Sequence, residues 1–197
     1  MKRLAVYCGS SLGASEHYKL GAIALGKELA KKNITLVYGG SSIGLMGILA
    51  NTVLMEGGQV IGVIPRLLEE REISHPSLTK LYVVENMHER KAKMAELADG
   101  FVVMPGGAGT LEEFFEVFTW GQIGIHQKPC GLLNIKGYYN PLMHLLDHMV
   151  EQRFLQEKFR SMPIVEEEPA LLIEKFSHYI PPTIKTYSED ENANSSL

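Results

Sequence analysis

The stretch Phe101-Val-Val-Met-Pro-Gly-Gly-Ala-Gly-Thr-Leu-Glu-Glu-Phe-Phe-Glu116 decides the fold. Phe101 to Met104 form a short apolar run of the kind that fills a fully buried parallel strand, and Pro105 with two glycines stops it. A helix is expected directly afterwards. Thr110 serves as its N-cap, Glu113 stands three residues on, and Leu111, Phe114, Phe115 and Phe118 recur at helical spacing as a core-facing stripe. The first amides of a helix lack intrahelical partners and the peptide dipoles add partial positive charge there, so an anion, most naturally a phosphate, can rest on them. Gly106, Gly107 and Gly109 have no Cβ, which leaves the backbone free to take positive φ and lets a ligand approach closely. The turn is not a Walker loop, which ends in Gly-Lys-Ser/Thr, and Glu112 stands where the dinucleotide fingerprint has its last glycine.

Spacing alone leaves two roles open for Glu113. Thr110-Leu-Glu-Glu113 satisfies the capping-box pattern, in which the glutamate only reaches back to the N-cap amide. Glu113 and Glu116, three apart, also project from one helix flank close to the anion site. Two carboxylates beside a phosphate require a cation. Arg90 offers a planar fork of donors for that purpose, although an arginine on a helix is ordinarily a solvated one.

Working outward, the strand-turn-helix unit recurs upstream. Leu4 to Cys8 is a strand, Gly9 to Gly13 a loop, and Ser15 the N-cap of a helix to about Lys32. Ile34 to Tyr38 is the next strand, followed by a second glycine turn, 39–47, containing Gly40, and a helix to about Glu56. Val60 to Ile64 is closed by Pro65, residues 66–79 form a polar loop, and Leu81 to Val84 is a strand. Asn86 then caps a helix on which Met87, Arg90, Lys91 and Met94 share a face. After the central unit come a strand at 129–134 and helices at 141–152 and 171–180, with Pro181-Pro182 ending the packed part.

Strands alternating with helices give an α/β fold: one domain, residues 1–181, built as a doubly wound parallel sheet with helices on both faces. The polar segment 182–197 is expected to be a mobile tail. Ligands of such sheets bind beyond the carboxyl ends of the strands, where all three glycine turns fall. Ser10 is either a donor to a ligand or a loop-capping hydroxyl, and Met87 either touches a ligand or packs.

The 197 residues carry a formal charge of -4, which argues against a general nucleic-acid binder. Met1-Lys-Arg leads into only a short apolar run, and no stretch approaches the ~20 apolar residues that a bilayer requires, so neither signal peptide nor membrane partner is expected. Two distant cysteines, Cys8 and Cys130, fit a reducing cytoplasm better than a disulfide framework or zinc knuckle. His144 and His148 are spaced like a metal pair but have no third ligand, so no metal is expected.

Pro105-Gly-Gly-Ala-Gly-Thr110-Leu-Glu-Glu113 has the form PGGxGTxxE, and Met87-His-Glu-Arg90-Lys91 the form MHxRK. Together and in this order they resemble the signature of the LOG (LONELY GUY) family. Cys8-Gly-Ser-Ser11, Gly39-Gly40 with Gly44-Leu-Met-Gly47, and Trp120 to His126 are similar to that family too, so the resemblance spans roughly residues 2–180. It implies a cytosolic, homodimeric, Rossmann-like enzyme that hydrolyses the N-glycosidic bond of purine nucleoside 5'-monophosphates. Cytokinin riboside 5'-monophosphates and AMP are its substrates, a free base and ribose 5-phosphate its products, and it needs no cofactor. The resemblance further implies Arg90 and Glu113 as the catalytic pair. Lys91 and Gly107, Ala108, Gly109, Thr110, Leu111, Glu112 and Glu113 line the nucleotide site in that picture, with Gly106 beside them and Glu72 as a further binding residue. The family's binding threonine is Gly124 here, a departure.

Cleavage of a ribosyl C–N bond builds positive charge on the ribose, which a carboxylate stabilises. Glu113, placed in the first helical turn, is expected to be held ionised by the helix dipole and to act as charge stabiliser or water-activating base. Two other classes remain: a nucleotide carrier without turnover, and a pyridoxal-phosphate decarboxylase, for which no lysine has an evident claim.

Overall fold

The computed structural model describes residues 1–70 and 74–185. Among them seven strands form one sheet: β1 (Arg3–Tyr7), β2 (Thr35–Tyr38), β3 (Val60–Pro65), β4 (Lys80–Val84), β5 (Gly100–Val103), β6 (Cys130–Leu133) and β7 (Pro163–Glu166). Their order is β4-β3-β2-β1-β5-β6-β7, and every neighbouring pair is parallel. The helices are α1 (Glu16–Lys31), α2 (Gly44–Met55), α3 (Arg66–Glu69), α4 (Met87–Leu97), α5 (Ala108–Gln122), α6 (Asn140–Glu151), α7 (Glu157–Arg160) and α8 (Pro169–Phe176), with a 3-10 turn at Ile135–Gly137.

The strands' period of two divides the core between the faces. Leu4 and Val6 of β1 pack with α1, α2 and α8 through Leu25, Leu49 and Leu172. Ala5 and Tyr7 point the other way, to Met94 of α4, Phe114 and Phe118 of α5 and Leu146 of α6. The expected doubly wound sheet is therefore present, with both faces covered.

Ser15 and Asn86 cap as expected: the Ser15 hydroxyl accepts from the His17 amide and Asn86 Oδ1 from the Glu89 amide. Thr110 does not. Helix α5 begins at Ala108 with Gly107 as its N-cap, and the Thr110 and Leu111 amides both donate to the Gly107 carbonyl, at 3.1 and 3.2 Å. Thr110 is thus the third residue of the helix, its side chain packed beneath Gly106, and the capping-box role of Glu113 falls away.

Strand β7 and helices α3 and α7 were not expected. Each is only four residues long, and β7 is an edge strand opening on Pro163, where a missing amide leaves no ladder bond unmade. Ile184 fills the space a Cβ on Gly124 would need, its Cγ2 2.8 Å from that position, and the Lys185 amide donates to Gln122 O, so the packed chain continues past Pro181-Pro182. The rest of the expected tail lies outside the described residues.

The order of strands reverses between β1 and β5, and there the loops leaving the two strands part to opposite faces. The three glycine turns meet at this point. The Gly9 amide donates to Pro105 O at 3.1 Å, and the Leu45 amide donates to Gly9 O at 3.1 Å.

Candidate active site

A cleft of about 310 Å³ opens at the reversal point. Its walls are Cys8 to Ser10 at the exit of β1, Met46 of α2, Met87 and Arg90 of α4, and Gly107 to Thr110 with Glu112 and Glu113 of α5. Gly107, Ala108 and Gly109 are exposed, and the amides of a helix's first turn have no partner within the helix. None of Gly106, Gly107 and Gly109 has a positive φ, contrary to expectation. They are glycines for reasons of space. A Cβ on Gly106 would fall 2.2 Å from Thr110 Oγ1, whereas on Gly107 or Gly109 it would meet nothing within 4 Å. The latter two leave the approach to the helix amides open.

Arg90 and Glu113 face each other inside the cleft, Nη2 to Oε1 at 3.4 Å, with side chains only 11% and 9% exposed. That distance is long for a charge-assisted bond. Arg90 Nη1 lies 3.6 Å from Met87 Sδ, and its buried Nε has no hydrogen-bond partner. Burial pushes the Glu113 carboxyl up to about 7, against the opposing pull of Arg90. The expectation of a glutamate held ionised by the helix dipole is corrected: Glu113 is the sixth residue of α5, beyond the first turn, and it is buried. Burial also raises the Cys8 thiol, which makes it a poor nucleophile.

Lys91, next in sequence, is differently engaged. Its ammonium lies 2.7 Å from Glu112 Oε1 and 3.1 Å from Glu116 Oε1, and the Glu112 hydrogen bond is the main cause that raises its pKa. It faces these carboxylates rather than lining the cleft.

A family model described as "Possible lysine decarboxylase" matches residues 46–176. A probable cytokinin riboside 5'-monophosphate phosphoribohydrolase of Oryza sativa subsp. japonica is 48% identical over 188 residues, which cover 95% of this chain and 77% of that protein. A cytokinin riboside 5'-monophosphate phosphoribohydrolase of Arabidopsis thaliana is 48% identical over 180 residues, 91% of this chain and 84% of that one. The chain belongs to the LOG family.

Solved structures with the same fold include the molybdenum cofactor binding protein of Rippkaea orientalis, with a TM-score of 0.68 and 18% identity over 90% of this chain and 97% of that one. The Moco carrier protein of Chlamydomonas reinhardtii has a TM-score of 0.67 and 19% identity over 90% of this chain and 96% of that one. At such identity the likeness concerns the fold alone.

In this LOG-family chain the cleft gathers Ser10, Met87, Arg90, Gly107, Ala108, Gly109, Thr110, Glu112 and Glu113. Other residues expected at the site stand apart from its walls. Gly106 is packed beneath, Leu111 is half-buried, Gly40 backs onto Ile64 with a φ of 77°, and Glu116 sits behind with Lys91. Gly124 follows the far end of α5, roughly 15 Å along the axis from Glu113, and is not brought to the cleft of its own chain. Glu72 lies outside the described residues. His148 pairs loosely with Glu151 and Asp147 accepts from Arg160; among the described residues no group of three or more His, Cys, Asp or Glu is placed to hold a metal.

Sequence reasoning missed two braces. Tyr138 Oη donates to Gly106 O at 2.6 Å and Tyr139 Oη to Met104 O at 2.5 Å, tying the exit of β5 from below. No local pattern announces them, because the hydroxyls reach back across more than thirty residues.

Proposed function

We propose that this chain hydrolyses the N-glycosidic bond of purine nucleoside 5'-monophosphates, AMP and N6-substituted relatives, to a free base and ribose 5-phosphate. The observation that carries the reading is a buried carboxyl, Glu113, facing an under-satisfied guanidinium, Arg90, in a cleft that also opens on the first amides of α5. The 5'-phosphate would take those amides, as anions do at helix N-termini. Arg90, whose contact with the Glu113 carboxylate is a long 3.4 Å, has a fork of donors to offer phosphate or ribose oxygens.

In the reaction the C1'–N bond breaks with its electron pair going to the base, whose nitrogen takes up a proton from solvent, and a water oxygen bonds to C1'; the proton that the water gives up is later released to solvent. Glu113, ionising near neutrality, accepts that water's proton and faces the positive charge building on the ribose. Lysine-based Schiff-base chemistry finds no support: among the described residues no lysine lines the cleft, and Lys91 is bound by two carboxylates.

The names of the rice and Arabidopsis relatives support the substrate class. We further propose a homodimer, to which the exposed Met87, Ile123 and Ile125 would contribute apolar area, and a cytoplasmic location, which the two buried free cysteines favour. Light scattering tests the first.

The test of function is a panel of AMP, isopentenyladenosine 5'-monophosphate, adenosine and ATP, with free base measured by chromatography. Release confined to monophosphates supports the reading. Tight AMP binding without adenine release would make the chain a binding module and overturn it.

A further inference from the structure

The glycine at position 39 has no conformational reason to be one. Its φ is not in the left-handed region, unlike that of Gly40 beside it, so any residue would satisfy its backbone. Its reason is steric. A Cβ built on Gly39 would lie 2.1 Å from Arg90 Nη2, 3.1 Å from Arg90 Cζ and 3.2 Å from Met46 Sδ.

Nη2 is the atom that faces Glu113. We propose that Gly39 is a positioning residue: the space left by its missing side chain is the seat that the Nη2 end of the Arg90 guanidinium occupies as it reaches Glu113. Around that seat the guanidinium has Gly39 and Glu113 both against Nη2 and Met87 Sδ beside Nη1. Tyr38, which precedes Gly39, ends β2 fully buried, so the rear wall stands on the sheet itself.

The atoms a Cβ would displace belong mainly to the far end of a long side chain. The fold can accommodate the change by moving Arg90, so the cost falls on the geometry of the reacting pair. Relief of a 2.1 Å contact requires a shift of about 1 Å, and misplacement on that scale costs roughly 10²-fold in rate. The catalytic part of this inference rests on Arg90 and Glu113 being the reacting pair; the seat itself does not.

The experiment is a cycle of Gly39→Ala, Arg90→Ala and the double variant, read by AMP turnover, thermal melting and the crystal structure of Gly39→Ala. Gly39→Ala alone should lose roughly 10²-fold, in kcat more than in KM. The same change in the Arg90→Ala background should cost less than about twofold, since the group it displaces is gone. The crystal structure should show Nη2 moved with the main chain in place. Losses that multiply in the double variant, or an unmoved guanidinium, would overturn the proposal. If Gly39→Ala fails to fold, the double variant should fold; if it also fails, Gly39 is a packing residue and the inference is wrong. A wild-type chain that released no adenine would count against the function while leaving the displacement of Nη2 readable.

Discussion

Arg90 and Lys91 are adjacent on α4, both nearly buried and both facing carboxylates of α5, yet they are in opposite states. The Lys91 ammonium is closely held by two partners at 2.7 and 3.1 Å. The Arg90 guanidinium stands 3.4 Å from one carboxylate, leans on a thioether and leaves Nε unpartnered in a buried position. A buried donor without an acceptor costs free energy comparable to a lost hydrogen bond. On the proposed function the contrast separates the two cations: Lys91, paired with Glu112 and Glu116, would keep two negative charges from repelling a phosphate, and Arg90 would meet it.

The largest break in this contrast is expected at Arg90 and Glu113. Arg90→Ala or Glu113→Gln should lower kcat/KM by about 10³-fold, and Arg90→Lys should recover little, because an ammonium lacks the fork. Steady-state adenine release from AMP measures both; near-wild-type rates with the fold intact would remove the residue from the mechanism.

Acidity sharpens the same comparison. With Glu113 as the proton acceptor at about 7, kcat/KM should fall about tenfold per pH unit below that value and level off above it. Stability should move the other way. The folded carboxyl binds its proton more tightly than the unfolded one, so its favourable contribution is complete below about 4.5 and is lost as pH rises through about 7. The full swing is roughly 3 kcal/mol. Melting curves of Glu113→Gln should therefore exceed wild type at pH 8 and converge with it near pH 4.

Lys91→Ala should act more weakly, raising KM for AMP by roughly tenfold as Glu112 and Glu116 lose their counter-charge, with kcat little changed. Weakest is Glu112→Gln. That carboxylate is 61% exposed, and such pairs are worth at most about 1 kcal/mol, so less than a fivefold change in KM is expected. A Lys91 variant as damaged as Arg90→Ala would erase the distinction between the two cations.

Much of this architecture is legible in the chain. Buried parallel strands read as apolar runs, so the central strand and its glycine turn announce themselves, and two motifs point to Arg90 and Glu113. What escaped depends on contacts between distant segments. Thr110-Leu-Glu-Glu113 has the spacing of a capping box, but the glycine turn lets α5 begin at Ala108 and strips that spacing of its meaning. The raised Glu113 carboxyl follows from its burial, which local dipole reasoning omits. Gly39 reads as one more turn glycine until Arg90 is seen resting against it. Strand β7 is four residues on the sheet edge with only a half-buried pattern, too short and too acidic to register as a strand.

Gly9 joins the exit of β1 to both other turns, donating to Pro105 and accepting from Leu45. Surface loops ordinarily fray one at a time, exchanging their amide hydrogens with water at little cost. Here the amides of Gly9 and Leu45 cannot be freed without parting the turns that they tie together. Deuterium should therefore enter these two loop amides about as slowly as it enters the neighbouring strands.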